Sequence, residues 1–347
     1  MQTNDTNFVK YIARCLQLAR LGEYYVAPNP MVGAVLVGAD NTILGEGWHE
    51  QYGAPHAEPN CLRHAEEAHP EGIDYKHCTL FVSLEPCSHY GKTPPCAELI
   101  IHKGIGRVVI GTLDPNPQVA GRGVQMMREA GVQVTVGVLE QECRDLNKRF
   151  FCLQEKHRPY VTLKWAETAD GYIDYRRVTD NAPLVISTPL IKLLVHQQRA
   201  QNMAIMVGTR TALLDNPRLL TTHWSGRNPI RITLDRHNIL PADSKLFSEE
   251  APTIVYRDNT DWAFILNDLA SRNIHSVLVE GGTTLLQHIL DSGLYDEVHI
   301  EVSNKSLTAE QIASTPCHLI VKAPRYTRTT HPIRVDNHLI YTESVGH

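Results

Sequence analysis

Long apolar runs are missing from the 347-residue chain, which contains no stretch of about 18 apolar residues of the kind a membrane-crossing helix needs. Positive charge is not in excess either. With Lys+Arg 33 against Asp+Glu 38, the formal net charge of -5 offers no broad cationic surface for nucleic-acid phosphates, so a small substrate fits better than a polyanion. The opening residues Met1-Gln2-Thr3-Asn4-Asp5 lack the basic-then-apolar plan of a secretory signal. A cytoplasmic protein with no membrane or nucleic-acid partner is the expectation; a homo-oligomer is compatible with it. Internal repeats and low-complexity segments are absent as well, which excludes solenoids and disorder as the default. Without a secretory context, the 8 cysteines read as free thiols or metal ligands rather than as a disulfide framework. Cys15, Cys61, Cys78, Cys143, Cys152 and Cys317 show no ligand spacing and read as small buried hydrophobes. Cys87 and Cys96 are different.

Hydrophobic residues make up 42% and charged residues 20%, an ordinary globular balance, and the length exceeds a usual single core. Two domains are expected. Residues 8–21 place apolar side chains at helical spacing, stopped by Gly22, and residues 31–37 and 42–46 read as a hairpin. Residues 56–68 read as a helix whose start is pinned near His56, because Pro59 is tolerated only in a first turn. Strands over 79–84, 107–112 and 132–138 alternate with helices after Pro94-Pro95 and around 124–129. That alternation predicts a parallel α/β sheet with right-handed crossovers. The charged stretch from Gln154 to Pro159 reads as a linker, giving domains 1–150 and 159–347. Beyond it, strands over 160–165, 204–207, 230–234, 253–256, 275–279 and 297–302 and helices over 190–199, 262–271 and 283–292 make a second α/β domain.

The chemistry is densest around His56-Ala57-Glu58, Pro86-Cys87 and Cys96. One histidine and two cysteines supply three zinc ligands and leave the fourth tetrahedral position for water, as a catalytic site requires. Zinc lowers the pKa of that water toward neutrality, so that it can attack an amino-bearing ring carbon. Glu58, two positions from His56 at a helix start, can serve as proton shuttle without ligating the metal. A helix starting at Cys96 would place its thiolate at a positive helix end. A closed structural site would need a fourth ligand such as His89 or Cys78, and it would have no use for Glu58.

The zinc-deaminase signature has two residues between its cysteines, whereas here eight separate them. Two readings follow: a chance match, or a subfamily whose intervening loop shapes the substrate pocket. The loop Ser88-His89-Tyr90-Gly91-Lys92-Thr93-Pro94-Pro95 argues for the second.

Taken with Pro28-Asn29-Pro30, Gly45-Glu46-Gly47-Trp48-His49, Leu84-Glu85-Pro86-Cys87-Ser88-His89 and Asp114-Pro115-Asn116-Pro117, the first 150 residues resemble the bifunctional deaminase/reductases of riboflavin biosynthesis. The resemblance implies a cytidine-deaminase-like three-layer α/β/α domain followed by a dihydrofolate-reductase-like α/β domain. It implies hydrolytic deamination of a diamino-pyrimidinone ribosylamine phosphate, then NADPH-dependent reduction of the ribosyl group to a ribityl chain. It assigns His56, Cys87 and Cys96 to Zn2+, Glu58 to proton transfer, and Asn29, His49, His89 and Lys92 to the phosphorylated pyrimidine substrate. Lys92 stands where arginine is common.

The second half has no Gly-x-Gly-x-x-Gly after a strand, so a Rossmann dinucleotide site is not indicated. Glu280-Gly281-Gly282-Thr283 reads either as a phosphate cradle at a helix start or as a tight strand-helix turn. The resemblance continues through Lys164, Asp170-Gly171, Arg199-Ala200 and Asp215-Asn216-Pro217-Arg218-Leu219. It implies that Ala166, Thr211, Asp215, Gly281, Gly282 and Thr283 touch the cofactor and that Lys164, Asp170, Arg199, Leu219 and Glu280 touch the substrate. Departures occur at Asn181-Ala182-Pro183, Thr221-Thr222-His223 and Glu301-Val302-Ser303-Asn304-Lys305. They motivate a second expectation, an active deaminase fused to a non-reducing ligand-binding or assembly domain.

Overall fold

The structure, a computed structural model, describes residues 5–90, 94–116, 120–175, 183–307 and 320–345. Two compact units emerge, Met1–His157 and Arg158–His347.

In the first unit Asp5 opens α1 (Thr6–Ala19) by accepting the Asn7 N–H at 2.8 Å. There follow β1 (Gly33–Val37), β2 (Ile43–Trp48), α2 (Ala57–Ala68), β3 (Thr79–Leu84), α3 (Cys96–Lys103), β4 (Arg107–Thr112), α4 (Arg122–Glu129), β5 (Gln133–Val136), α5 (Glu140–Leu146) and α6 (Lys148–Lys156). The sheet order is β2-β1-β3-β4-β5. The expected parallel pairing holds for β3, β4 and β5, whereas β1 is antiparallel to both β2 and β3. A strand pair joined by a short turn cannot run parallel, and this makes the sheet mixed.

Both faces of this sheet are covered, so its strands are apolar on both sides. Leu36, Leu80, Val82, Val108 and Ile110 pack with Cys61 of α2, Ile100 of α3 and Met127 of α4. Their alternate neighbours Val35, Phe81 and Val109 pack with Tyr11, Ile12 and Leu16 of α1 and Cys143 of α5. Three layers result. The stretch expected to be a linker is helical as far as Lys156, because Phe151, Cys152 and Leu153 of α6 are buried and packing overrides the charged sequence. The helix ends at His157, whose φ of 53° lies in the left-handed region. Cys15, Cys61, Cys78, Cys143 and Cys152 are buried and outside any disulfide, and Cys317 lies outside the described residues.

The second unit contains β6 (Tyr160–Glu167), β7 (Tyr172–Tyr175), α7 (Pro189–Gln201), β8 (Ala204–Val207), α8 (Thr209–Asp215), β9 (Ile230–Leu234), β10 (Thr253–Tyr256), α9 (Trp262–Ser271), β11 (Ser276–Glu280), α10 (Thr283–Ser292), β12 (Glu297–Val302), β13 (Ile320–Lys322), β14 (Ile333–Val335) and β15 (His338–Ser344). The main sheet runs β10-β9-β8-β11-β6-β12-β15-β14. It is parallel from β10 to β12 and antiparallel from β12 onward. β7 and β13 form a separate antiparallel pair.

β8 leads to its neighbour β9 on one side, while β11 leads to β12 on the other. The crevice at the ends of β8 and β11 is therefore the topological switch point, where open α/β sheets bind ligands. Val161, Leu163, Trp165, Val277, Val279, Val298 and Ile300 face α9 and α10 and form the main core.

Candidate active sites

His56 is the N-cap of α2, and Cys96 is the first residue of α3, directly after Pro95. Cys87 follows the end of β3. These three elements converge: His56 Nδ1 lies 3.6 Å from Cys87 Sγ and 3.4 Å from Cys96 Sγ, and all three ligand atoms lie within 4.8 Å of one another. A tetrahedral zinc with ordinary Zn–S and Zn–N bond lengths separates its nitrogen and sulfur ligands by about 3.6 Å, so the donor set and its spacing fit zinc. Among the described residues this ligand group includes neither His89 nor Cys78, so the closed four-ligand alternative is not assembled.

Hydrogen bonds from the Cys96 thiol, His56 and the Cys96 backbone N–H drive Cys87 toward thiolate. The Cys96 thiol rises in turn, first through its bond to Cys87 and then through burial. Glu58 is 3% exposed and within hydrogen-bond reach of the Cys96 thiol. Burial, and then the charge of Cys87, push its carboxyl up to about 7. A carboxyl with this affinity both takes and gives a proton near neutral pH.

Asn29 and His49 stand beside the cluster. The His49 ring meets the His56 ring edge-on at 5.4 Å, its Nδ1 lies 3.0 Å from Pro55 O, and its Nε2 lies 3.0 Å from Asn29 Nδ2. A ring nitrogen facing a carbonyl must carry the proton, so Nδ1 donates and Nε2 accepts from the Asn29 amide. Burial lowers the pKa of His49 and favours this neutral form. His89 is exposed and close enough to Asp114 to influence its charge, while Lys92 lies outside the described residues.

Gly33 and Gly47 are places of close backbone approach. A Cβ on Gly47 would lie 2.3 Å from Cys61 N and 2.6 Å from Ala57 O, and one on Gly33 would lie 2.1 Å from Cys15 O. Glycine at position 47 thus lets the first turn of α2, with His56 and Glu58, rest directly on β2.

Glu85 was missed as a separate residue. Its buried carboxylate accepts four backbone N–H groups, from Asp114 at 3.2 Å, Gly121 at 2.9 Å, Gly123 at 3.0 Å and Val124 at 3.2 Å. It ties the segment carrying Cys87 to Asp114 and to the N-cap and first turn of α4. The only sequence signal was an acid placed at the end of a β-branched run, directly before Pro86-Cys87.

In the second unit the diglycine is a strand-helix junction, with Gly282 as N-cap of α10. A Cβ on Gly281 would sit 3.5 Å from Gly208 N and one on Gly282 would sit 3.7 Å from Thr211 Oγ1, so this loop adjoins the start of α8. Thr283 Oγ1 donates to Lys322 O, and Asp215 ends α8. Glycines and two helix starts at a switch point fit a phosphate-bearing cofactor. Arg199 lies on α7, and its fork is engaged by Glu280: Nε donates to Oε1 at 3.0 Å and Nη2 to Oε2 at 2.7 Å. Burial alone would raise the Glu280 carboxyl, but Arg199 and then Lys164 outweigh it and hold it low. Leu219 is buried with a φ of 52°, and Asp170 accepts the Leu307 N–H at 3.2 Å. Lys164 pairs in register with Glu280, and Ala166 with Glu301.

Comparison with known proteins matches each unit separately. Residues 6–112 match the family model of the cytidine and deoxycytidylate deaminase zinc-binding region, and residues 159–311 match that of the RibD C-terminal domain. The riboflavin biosynthesis protein RibD of Aquifex aeolicus is 38% identical over 323 residues, covering 87% of each chain. Among solved structures, a diaminohydroxyphosphoribosylaminopyrimidine deaminase/5-amino-6-(5-phosphoribosylamino)uracil reductase from Thermotoga maritima is 36% identical, with a TM-score of 0.81 over 97% of this chain and 98% of that one. RibD of Acinetobacter baumannii is 28% identical, with a TM-score of 0.84 over 98% of this chain and 99% of that one.

Proposed function

The chain belongs to the family of the riboflavin biosynthesis protein RibD, and from that premise we propose how its two sites divide the work. It is a bifunctional enzyme of riboflavin biosynthesis, with a zinc deaminase in the first unit and an NADPH-dependent reductase in the second. The first site deaminates the diamino-pyrimidinone ribosylamine phosphate, and the second reduces the ribosyl group of the product to a ribityl chain. This is the pair of reactions for which the Thermotoga maritima protein is named.

The observation that carries the reading is the His56, Cys87 and Cys96 cluster with buried Glu58 beside it. Zinc, when bound there, brings the acidity of a water into the neutral range. Glu58 takes a proton from the attacking water and delivers it to a ring nitrogen; it then takes the proton remaining on the added oxygen and passes it to the amino group, which leaves as ammonia. Neutral His49 fixes the Asn29 amide as a donor and acceptor for the pyrimidine, and His89 and Lys92 serve the phosphorylated end of the substrate.

NADPH supplies the hydride in the second unit. Ala166, Thr211, Asp215, Gly281, Gly282 and Thr283 hold that cofactor at the switch point, and Lys164, Asp170, Arg199, Leu219 and Glu280 hold the substrate beside it. A cytoplasmic location belongs to the same proposal; among the described residues, no helix is long and apolar enough to cross a membrane.

The test is a coupled assay on purified protein, following ammonia release and then NADPH oxidation in one sample. Both signals support the two-site assignment. Ammonia alone favours the other expectation, a deaminase fused to a non-reducing domain. Neither signal from zinc-loaded protein rules out the substrate.

A further inference from the structure

The second sheet carries a buried polar seam. On β6, Val161, Leu163 and Trp165 belong to the apolar core, so Thr162 and Lys164 face the opposite side. β12 repeats the pattern, with Val298 and Ile300 in the core and Glu297, His299 and Glu301 opposite. α7 covers this seam: Gln198 Nε2 lies 2.9 Å from His299 Nδ1, and Arg199 is bonded to Glu280. Buried charges are costlier than apolar residues of similar volume, so a charged seam at the centre of a sheet is poor evidence of a stability device.

Glu301 is the most enclosed carboxylate of the seam, 2% exposed. Its Oε1 accepts from His338 Nδ1 at 2.7 Å; its Oε2 accepts from Ser187 Oγ at 2.6 Å and lies 3.8 Å from Lys164 Nζ. On the neighbouring strand, Glu280 pairs in register with Lys164 and is itself held by Arg199. The Lys164 ammonium thus lies beside Glu301 and within electrostatic reach of Glu280, and each of these carboxylates is anchored by partners of its own. Glu301 also pairs in register with Ala166, at the cofactor end of the same strand.

We propose that Glu301, anchored by Ser187 and His338, is a positioning residue of the reductase, fixing the Lys164 ammonium against the ribosyl group of the substrate. The proposal rests on the reductase reading above, in which Lys164 touches the substrate. Glu301 acts only through Lys164, and this separates it from an ordinary stabilising ion pair.

The experiment measures NADPH oxidation with the deaminated substrate for the wild-type chain, Glu301→Gln, Glu301→Asp, Lys164→Met and the Glu301→Gln/Lys164→Met double variant. Deaminase turnover in the same samples reports that the first unit is intact, and the unfolding transition reports on the second. Glu301→Gln is expected to lower reductase kcat by about tenfold to a hundredfold, the usual scale for a misplaced reacting group, with the KM for NADPH unchanged. Glu301→Asp recovers part of the loss, and in the Lys164→Met background Glu301→Gln adds nothing. Losses that multiply in the double variant, or a Glu301→Gln kcat equal to wild type, overturn the proposal. If Glu301→Gln does not fold, Ser187→Ala, which keeps the charge and removes one anchor, must show a smaller kcat loss that also vanishes without Lys164. A wild-type chain that oxidises no NADPH overturns the reductase reading itself, which is a different result from an active chain indifferent to Glu301.

Discussion

The Glu85 carboxylate accepts the backbone N–H of Gly123 at 3.0 Å, and a Cβ on Gly123 would lie 2.3 Å from Pro86 O. The first turn of α4 is therefore pressed against the chain one residue ahead of Cys87. No side chain fits between them, and the contact is held by a charged acceptor shared among four N–H groups.

Replacing that acceptor is expected to damage the deaminase alone. In Glu85→Gln, an amide NH2 must face N–H donors, and losing charged hydrogen bonds at a buried site costs about 3 kcal/mol. The first unit should unfold earlier in urea and ammonia release should fall, while NADPH oxidation on the deaminated substrate is unchanged. Wild-type deaminase kinetics in a correctly folded Glu85→Gln would remove this residue from any positioning role.

Chemistry and metal binding separate at Glu58. Glu58→Gln keeps His56, Cys87 and Cys96 and should retain zinc by elemental analysis, yet turn over about a hundredfold to ten-thousandfold more slowly, the range general acid–base groups contribute. Stripping zinc with a chelator should abolish ammonia release and spare the reductase. An active Glu58→Gln enzyme would return the cluster to a structural role.

Stability of the second unit should fall in mild acid because of His275. Its ring is 5% exposed, and burial lowers its pKa from 6.5 to about 4. Between those values the unfolded chain binds more protons than the folded one, so the contribution is complete above 6.5 and drains away as the pH drops toward 4. The full difference is on the order of 3 kcal/mol. Urea titrations at neutral pH and at pH about 5 should show a larger loss for wild type than for His275→Gln. Equal losses would mean that His275 titrates normally in the folded protein.

The Arg199–Glu280 pair should be destabilising to break and tolerable to remove. Its side chains are only 16% and 17% exposed, so Arg199→Met leaves a buried carboxylate with fewer cationic partners. That single change is expected to cost about 3 to 5 kcal/mol, and Arg199→Met/Glu280→Leu less than the sum of the two single changes. Reductase activity should be lost in all three, which calorimetry and NADPH oxidation together would check. Additive stability losses would mean the two groups do not act as a pair.

Much of the architecture was legible because its signals are local. The β-branched runs at β3, β4, β8, β9 and β10 and the periodic stretches at α9 and α10 begin and end where their patterns do. Pro59 and Pro94-Pro95 marked helix starts, since proline fits only a first turn or the residues before it. The short C-terminal strands β13, β14 and β15 were not legible: their residues make sense only against partners far along the chain. α6 was hidden in the same way, its charged end read as a linker because the burial of Phe151 and Leu153 is a tertiary fact.

The amino-acid sequence alone determined the ligand types at His56, Cys87 and Cys96, the proton carrier at Glu58 and the alternation of strands and helices, because residue chemistry and periodicity are carried by the chain itself. Only the tertiary structure decided that β1 runs antiparallel to β3, that Glu85 gathers four N–H groups, that the Arg199 fork is filled by Glu280 and that Glu301 stands behind Lys164. Those are choices of partner for buried polar groups, and a buried group is satisfied by whatever the fold brings within about 3 Å of it, however distant in sequence.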